Sequence, residues 1–168
     1  MEVVVLDAGP LIYLAKLDAL DVLPAAGHVG ALTPSVWSEV AQPALAFRFP
    51  EIASIQRARD VRWLEVYPLA PAEIAFADDL AGRLSGLHRG ELDCLAVASA
   101  RGWPVCLHER QASRMARTLG MQPVHLVELL FRGMDDRGRL EACVRGFARL
   151  TNLAVADLDD LLHMIVER

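Results

Sequence analysis

The chain opens with a β-branched run, Val3-Val4-Val5-Leu6, that stops at Asp7-Ala8-Gly9-Pro10 and gives way at once to apolar residues at helical spacing, Leu11, Leu14, Leu17 and Leu20. A period-two segment that switches to period 3.6 within one turn reads as strand, turn, helix. Gly9 permits the tight turn, and Pro10 suits the first helical position, where its missing N–H costs nothing. The same grammar recurs. Val29 to Leu32 reads as a strand, Thr33 as an N-cap and Pro34 as the first residue of a helix through Trp37, Glu39 and Val40. Pro104-Val105-Cys106-Leu107 reads as a strand leading into His108-Glu109 and a helix to Leu119, stopped by Gly120. Arg62 to Leu69 is expected to be a short edge strand and Pro123 to Leu126 a last strand. Helices are expected at 51–60, 71–84 and 90–100, with two or three closing helices over 127–168. Residues 42–50, where Pro43 and Pro50 flank Phe47 and Phe49, read as an irregular connection. Strands alternating with helices predict an α/β fold: a three-layer α/β/α sandwich on a mostly parallel sheet of four to five strands, formed by one domain over residues 1–168.

A chain of 168 residues can bury ~70% of its unfolded surface, so its core needs no disulfide or structural metal. Cys94, Cys106 and Cys143 are odd in number and far apart, which argues against a disulfide framework or zinc cluster. Met1-Glu2, with Asp7 after a short apolar run, does not read as an export signal, and no run approaches the ~18 apolar residues of a membrane span. A cytoplasmic protein is expected. With 54% hydrophobic residues, apolar surface must be covered by the fold or by a partner, so a homodimer is expected as well. The net charge of −5 argues against binding nucleic acid through bulk charge. Lys16 is the only lysine and every other basic residue is arginine, whose planar fork grips phosphate, although GC-rich codon usage gives the same bias.

In open parallel sheets ligands bind beyond the carboxyl ends of the strands. Asp7 and Glu109 follow two strands directly, Glu39 lies one helical turn beyond another, and Glu91 and Asp93 begin the helix that leads to the strand at 104–107. Each acid has a bland reading. Asp7 could cap a helix, Glu39 could face solvent, and Glu91 could gain from the helix dipole. Gathered at one rim, however, they repel one another unless a cation neutralises them. Hard ions such as Mg²⁺ or Mn²⁺ take oxygen ligands and can activate water against a phosphodiester. Glu91 and Asp93 lie ~200° apart on a helix, so one is a ligand candidate and the other a supporting group; geometry alone does not choose. Arg110, Arg114 and Arg117 form one helical stripe beside the acids, either an RNA track or a solvated face.

Val5-Leu6-Asp7-Ala8-Gly9-Pro10-Leu11-Ile12 resembles the opening of PIN-domain proteins, and Pro34-Ser35-Val36-Trp37-Ser38-Glu39-Val40 resembles their second motif. Gly90-Glu91-Leu92-Asp93-Cys94-Leu95-Ala96 is similar to the third motif in a prokaryotic branch close to the toxins of VapBC-type toxin–antitoxin pairs. Leu107-His108-Glu109-Arg110-Gln111-Ala112-Ser113-Arg114 is similar to the fourth, with His108-Glu109 where two aspartates are usual. The resemblance implies a Mg²⁺- or Mn²⁺-dependent endoribonuclease with an RNA substrate and a VapB-like antitoxin partner. On it, Asp7, Glu39 and Asp93 match three of the family's acids, Glu91 matches the branch's own acid, and Glu109 stands for the fourth. Asp7, Asp93, Glu91 and Glu109 are then candidate metal ligands, and His108 is a further candidate because imidazole suits borderline metals. The alternative is a PIN scaffold with a weakened or inactive site, serving as a dimeric interaction module.

Other α/β activities lack their residues. A phosphate-binding P-loop needs a lysine after its glycines, and Lys16 lies in the first helix. Asp7-Ala8-Gly9-Pro10 is no dinucleotide fingerprint, and no Gly-x-Ser-x-Gly elbow occurs.

Overall fold

The computed structural model describes residues 1–42, 45 and 48–167. Strands β1 (Glu2–Leu6), β2 (His28–Leu32), β3 (Leu64–Val66), β4 (Val105–Cys106) and β5 (Pro123–Val124) form one sheet in the order β3-β2-β1-β4-β5. Every pairing is parallel, with Val5 opposite Ala31 on one side and Val105 on the other. Val4, Val5 and Leu6 are wholly buried, each worth about 1.5–3 kcal/mol relative to exposure. The chain builds outward from β1 through β2 to β3, then returns to lay β4 and β5 on the other side. Strand order therefore reverses between β1 and β4, and the crevice at their carboxyl ends is where such a fold takes a ligand.

The helices are α1 (Ala8–Lys16), α2 (Val22–Ala25), α3 (Pro34–Val40), α4 (Pro50–Asp60), α5 (Pro71–Arg83), α6 (Arg89–Arg101), α7 (Arg110–Thr118), α8 (Leu126–Gly133), α9 (Arg137–Thr151) and α10 (Val155–Val166). They clothe the sheet in an α/β/α arrangement: α6 packs on β1 and β4, α2 on β2 and α4 on β3. Four residues of α6, Cys94, Leu95, Ala96 and Ala98, are completely buried, so this helix is anchored against the central strands and its first turn is held in place. Thr33 caps α3 as its sequence predicts, accepting from Val36 N–H at 3.3 Å, and Pro34 follows it. None of the described helices is long and apolar enough to cross a membrane.

Boundaries differ from the sequence expectation where backbone constraints override the apolar pattern. Helix α1 begins at Ala8 because the Asp7 carbonyl already accepts from Leu11 N–H at 3.2 Å. Pro10 is thus the third helical residue, tolerated because first-turn N–H groups have no intrahelical partner. The helix ends at Lys16, since Asp18 takes a positive φ of 50°, and Leu20 is buried from a turn instead. The edge strand expected over 62–69 shrinks to Leu64–Val66: Arg62 has φ 64°, and the two prolines at 68 and 71 lack ladder donors. Helix α7 starts at Arg110, leaving His108 and Glu109 outside it. Pro43 and Phe47 of the expected irregular connection lie outside the described residues. The closing segment is three helices, α8 to α10. Cys94, Cys106 and Cys143 are free and buried.

Candidate active site

Asp7 is the first residue after β1 and the N-cap position of α1, yet its side chain makes no capping hydrogen bond. The capping reading of this acid therefore fails. The residue is 8% exposed, and its pKa is pushed up from 3.8 to about 6, chiefly by burial and further by the charges of Glu91, Glu39 and Glu109, while the Ala8 N–H acts in the opposite direction. Carboxylates from α3, α6 and the turn after β4 thus repel the one that follows β1.

Glu39 reaches this point from the last turn of α3, with its residue largely exposed. Gly90 faces the gap between it and Asp7. A Cβ at position 90 would lie 3.6 Å from Asp7 Oδ1, 3.8 Å from Glu39 Oε2 and 3.3 Å from Val36 Cγ2, so the absent side chain keeps the space between the two acids open.

Helix α6 separates its two acids, as their spacing demands. Glu91 lines the cavity with Asp7 and Glu39. Its Oε2 accepts from the His88 N–H at 2.8 Å, while Oε1 is buried without a hydrogen bond. Asp93 is not among the lining residues. Its Oδ2 accepts from Ser35 Oγ at 2.7 Å, and Oδ1 faces Arg89 Nε at 2.7 Å. The Arg89 contact is an ion pair rather than a directed hydrogen bond, since Oδ1 has no hydrogen-bond partner.

The cavity holds about 480 Å³ and is lined by Asp7, Glu39, Arg89, Glu91, His108 and Glu109, with Tyr13 and the backbone around Gly9 and Gly90. Glu109 is exposed and occupies the N-cap position of α7 without a side-chain capping bond. His108 packs edge-on to Tyr13, ring centroids 4.9 Å apart, so its ring is part of an aromatic wall. A second cavity of about 780 Å³ shares His108 and Glu109 and runs along Arg110, Arg114 and Arg117 to the α9–α10 junction. Some exposed arginines elsewhere are paired, Arg62, Arg83, Arg132, Arg139 and Arg145 each meeting a carboxylate, whereas Arg57 and Arg59 meet Ser54 and the Trp37 ring instead. Among the described residues none of the three α7 arginines has an ion pair, so their guanidinium groups face solvent and this cavity without a carboxylate partner. Trp37, Trp63 and Trp103 are half-buried against the core, away from both cavities.

A family model described as a PIN domain matches residues 3–155. The chain belongs to the PIN-domain family. PIN domains are generally nucleases that use divalent metal ions. No curated protein and no solved structure matches the chain.

Among the described residues of this PIN domain, no three His, Cys, Asp or Glu side chains are grouped closely enough to form a metal cage. The donor set fits a different mode. Mg²⁺ keeps several waters and is commonly held by one or two carboxylates. The orphaned Glu91 Oε1 and the buried Asp7 carboxylate, whose Ala8 N–H contact does not offset its burial, offer hard oxygens to such an ion, with Glu39 lining the same cavity. The sequence did not anticipate Arg89 in this acidic cavity. The available signal was its position directly before Gly90-Glu91 and one helical turn from Asp93.

Proposed function

We propose that this PIN domain is a divalent-metal-dependent endoribonuclease, the toxin of a VapBC-type toxin–antitoxin pair. The observation that carries the reading is the buried Asp7 carboxylate, uncapped and held at about 6, beside the orphaned oxygen of Glu91. Such an arrangement is destabilising unless a cation enters, and a fold that retains it has a use for one. Asp7 and Glu91 are the residues that would hold Mg²⁺ or Mn²⁺, with Glu39 and Glu109 at the cavity edge. A bound ion supplies an activated water and neutralises the phosphodiester. The chain's own residues do the rest. Gly90 leaves room beside Asp7 and Glu39 for a phosphate once their charge is neutralised, and Arg110, Arg114 and Arg117 give the RNA strand a line of donors leading away from it. Asp93, bonded to Ser35 and Arg89, positions α6 against α3.

Thermal unfolding with millimolar Mn²⁺ tests the reading, because an ion that binds only the folded state raises its stability. The wild-type Tm rises with Mn²⁺ and RNA is cleaved; Asp7→Asn abolishes both. A chain that shows neither response is the inactive scaffold instead, a reading favoured by the Arg89 contact on Asp93 and the altered fourth acid. The toxin assignment also entails partners. Val155, Met164 and Val166 of α10 and Leu150 of α9 are exposed, apolar surface suited to a homodimer or an antitoxin peptide. A single monomeric boundary in sedimentation velocity at high concentration sinks the homodimer.

A further inference from the structure

The acidic cavity has a charge problem that a bound ion only partly relieves: its substrate is itself an anion. Asp7, Glu39, Glu91 and Glu109 line it, and Arg89 is the one lysine or arginine among the lining residues. Arg89 is also the most constrained arginine near the rim. Its Nη1 donates to Asp78 Oδ1 on α5 at 2.6 Å, and its Nε lies 2.7 Å from Asp93 Oδ1 on its own helix. Asp93 is fixed in turn by Ser35 on α3, whose hydroxyl lies 2.9 Å from that of Thr33. Carboxylates on two helices thus hold the guanidinium, one of them braced from a third, and Nη2 is used in neither of these contacts. The side chain is 49% exposed, so it is fixed and still open to a ligand. A long side chain held by two carboxylates has lost its rotamer entropy before any substrate arrives.

Resting on the nuclease reading, we propose that Arg89 binds the scissile phosphate through Nη2, and that the Asp78–Arg89–Asp93–Ser35 chain serves to aim it. On this assignment Asp93 orients a cation on the chain, while Glu91, two residues away, faces the cavity. Nη2 offers two N–H donors whose direction the rigid guanidinium plane fixes once the other two nitrogens are held, which a flexible lysine ammonium cannot match.

The test uses the full chain with a fluorescein-labelled RNA oligonucleotide. Arg89→Gln lowers kcat/KM for cleavage in Mn²⁺ by roughly 10- to 100-fold, the loss typical of one charged hydrogen bond. It does not diminish the Mn²⁺-induced rise in Tm. Arg89→Lys recovers only part of the loss. In an Asp7→Asn background, which removes cleavage, Arg89→Gln weakens binding of the same oligonucleotide about 10-fold. Because Arg89→Gln strips a buried carboxylate of its partner, Asp78→Asn is the second variant: it touches the exposed end of the chain, leaves the fold intact and lowers kcat/KM by a smaller factor. Arg132→Gln, which breaks an exposed pair on α8, is the neutral control. Wild-type rates in both Arg89→Gln and Asp78→Asn overturn the proposal while leaving the nuclease reading intact. A wild-type chain that neither cleaves nor binds RNA removes the nuclease reading and this inference with it.

Discussion

Helices α5 and α6 begin alike. Each has a glutamate at its third position whose Oε2 accepts the N–H of the residue before the helix: Glu73 from Ala70 at 2.7 Å and Glu91 from His88 at 2.8 Å. Both residues are buried, 4% and 3% exposed. The difference is in the other oxygen. Glu73 Oε1 meets Arg101 Nε at 2.7 Å and the guanidinium's Nη2 reaches Oε2 at 2.9 Å; Glu91 Oε1 meets no donor. Arg101 holds the Glu73 carboxyl below its ordinary range, whereas the neighbour of Glu91, Asp7, is held above it. Burial and helix position are equal in the two glutamates, so neither marks a functional acid. Only the counter-charge tells them apart.

The comparison breaks most visibly at Arg101. Arg101→Gln leaves Glu73 buried and uncompensated, expected to cost about 3–5 kcal/mol in urea unfolding at pH 7, and it removes a guanidinium stacked 5.0 Å from the Trp103 ring centre. The sign with pH follows from the lowered pKa. The pair's stabilisation is present above the ordinary carboxylate value of 4.5 and is lost as pH falls through the folded value below it. A loss under about 1 kcal/mol at pH 7 means the pair is effectively solvent-screened, and the contrast with Glu91 loses its force.

Asp7→Asn is the opposite case, a buried charge whose removal helps. The folded pKa of about 6 stands above the ordinary 3.8, so the penalty is absent below pH 3.8, grows as pH rises toward 6 and is complete above it. Two pKa units correspond to about 3 kcal/mol, or roughly 6–12 °C in Tm for a chain of this size. In metal-free buffer Asp7→Asn is therefore expected to melt well above wild type at pH 7.5 and close to it at pH 4. Scanning calorimetry at the two pH values checks this, and equal melting temperatures at pH 7.5 show that Asp7 is not strained.

The order of elements was readable because apolar period and turn chemistry agreed locally. Thr33-Pro34 and the run Val3 to Leu6 carry their own instructions. Sequence could not place the ends of α1 or β3, since Asp18 and Arg62 take left-handed backbone conformations that neither residue type announces. Asp7, Glu39 and Glu91 were legible as a group because strand ends bring them to one rim. The fates of Glu91 and Asp93 were not, because spacing around a helix says that two acids diverge and not which one finds a partner. That depended on Arg89 and Ser35, one from α6 and one from a distant helix, so only the packed structure decides it.

The smallest expected effect is also the sharpest. Glu91→Gln and Glu73→Gln make the same chemical change at the same helix position, and each amide oxygen still accepts the capping N–H. The caps survive in both, and stability differences of that origin stay under about 1 kcal/mol. Glu73→Gln additionally weakens a charge-assisted pair with Arg101, so it loses about 1–3 kcal/mol. Glu91→Gln removes a charge that repels Asp7 and loses no counter-charge, so its metal-free stability stays level or rises slightly, while its Mn²⁺-induced Tm shift falls. Parallel melts of the two variants, each with and without Mn²⁺, read both quantities at once. Equal destabilisation, or a full Mn²⁺ response in Glu91→Gln, makes Glu91 an ordinary capping residue and leaves Asp7 and Glu39 as the acids to which an ion could bind.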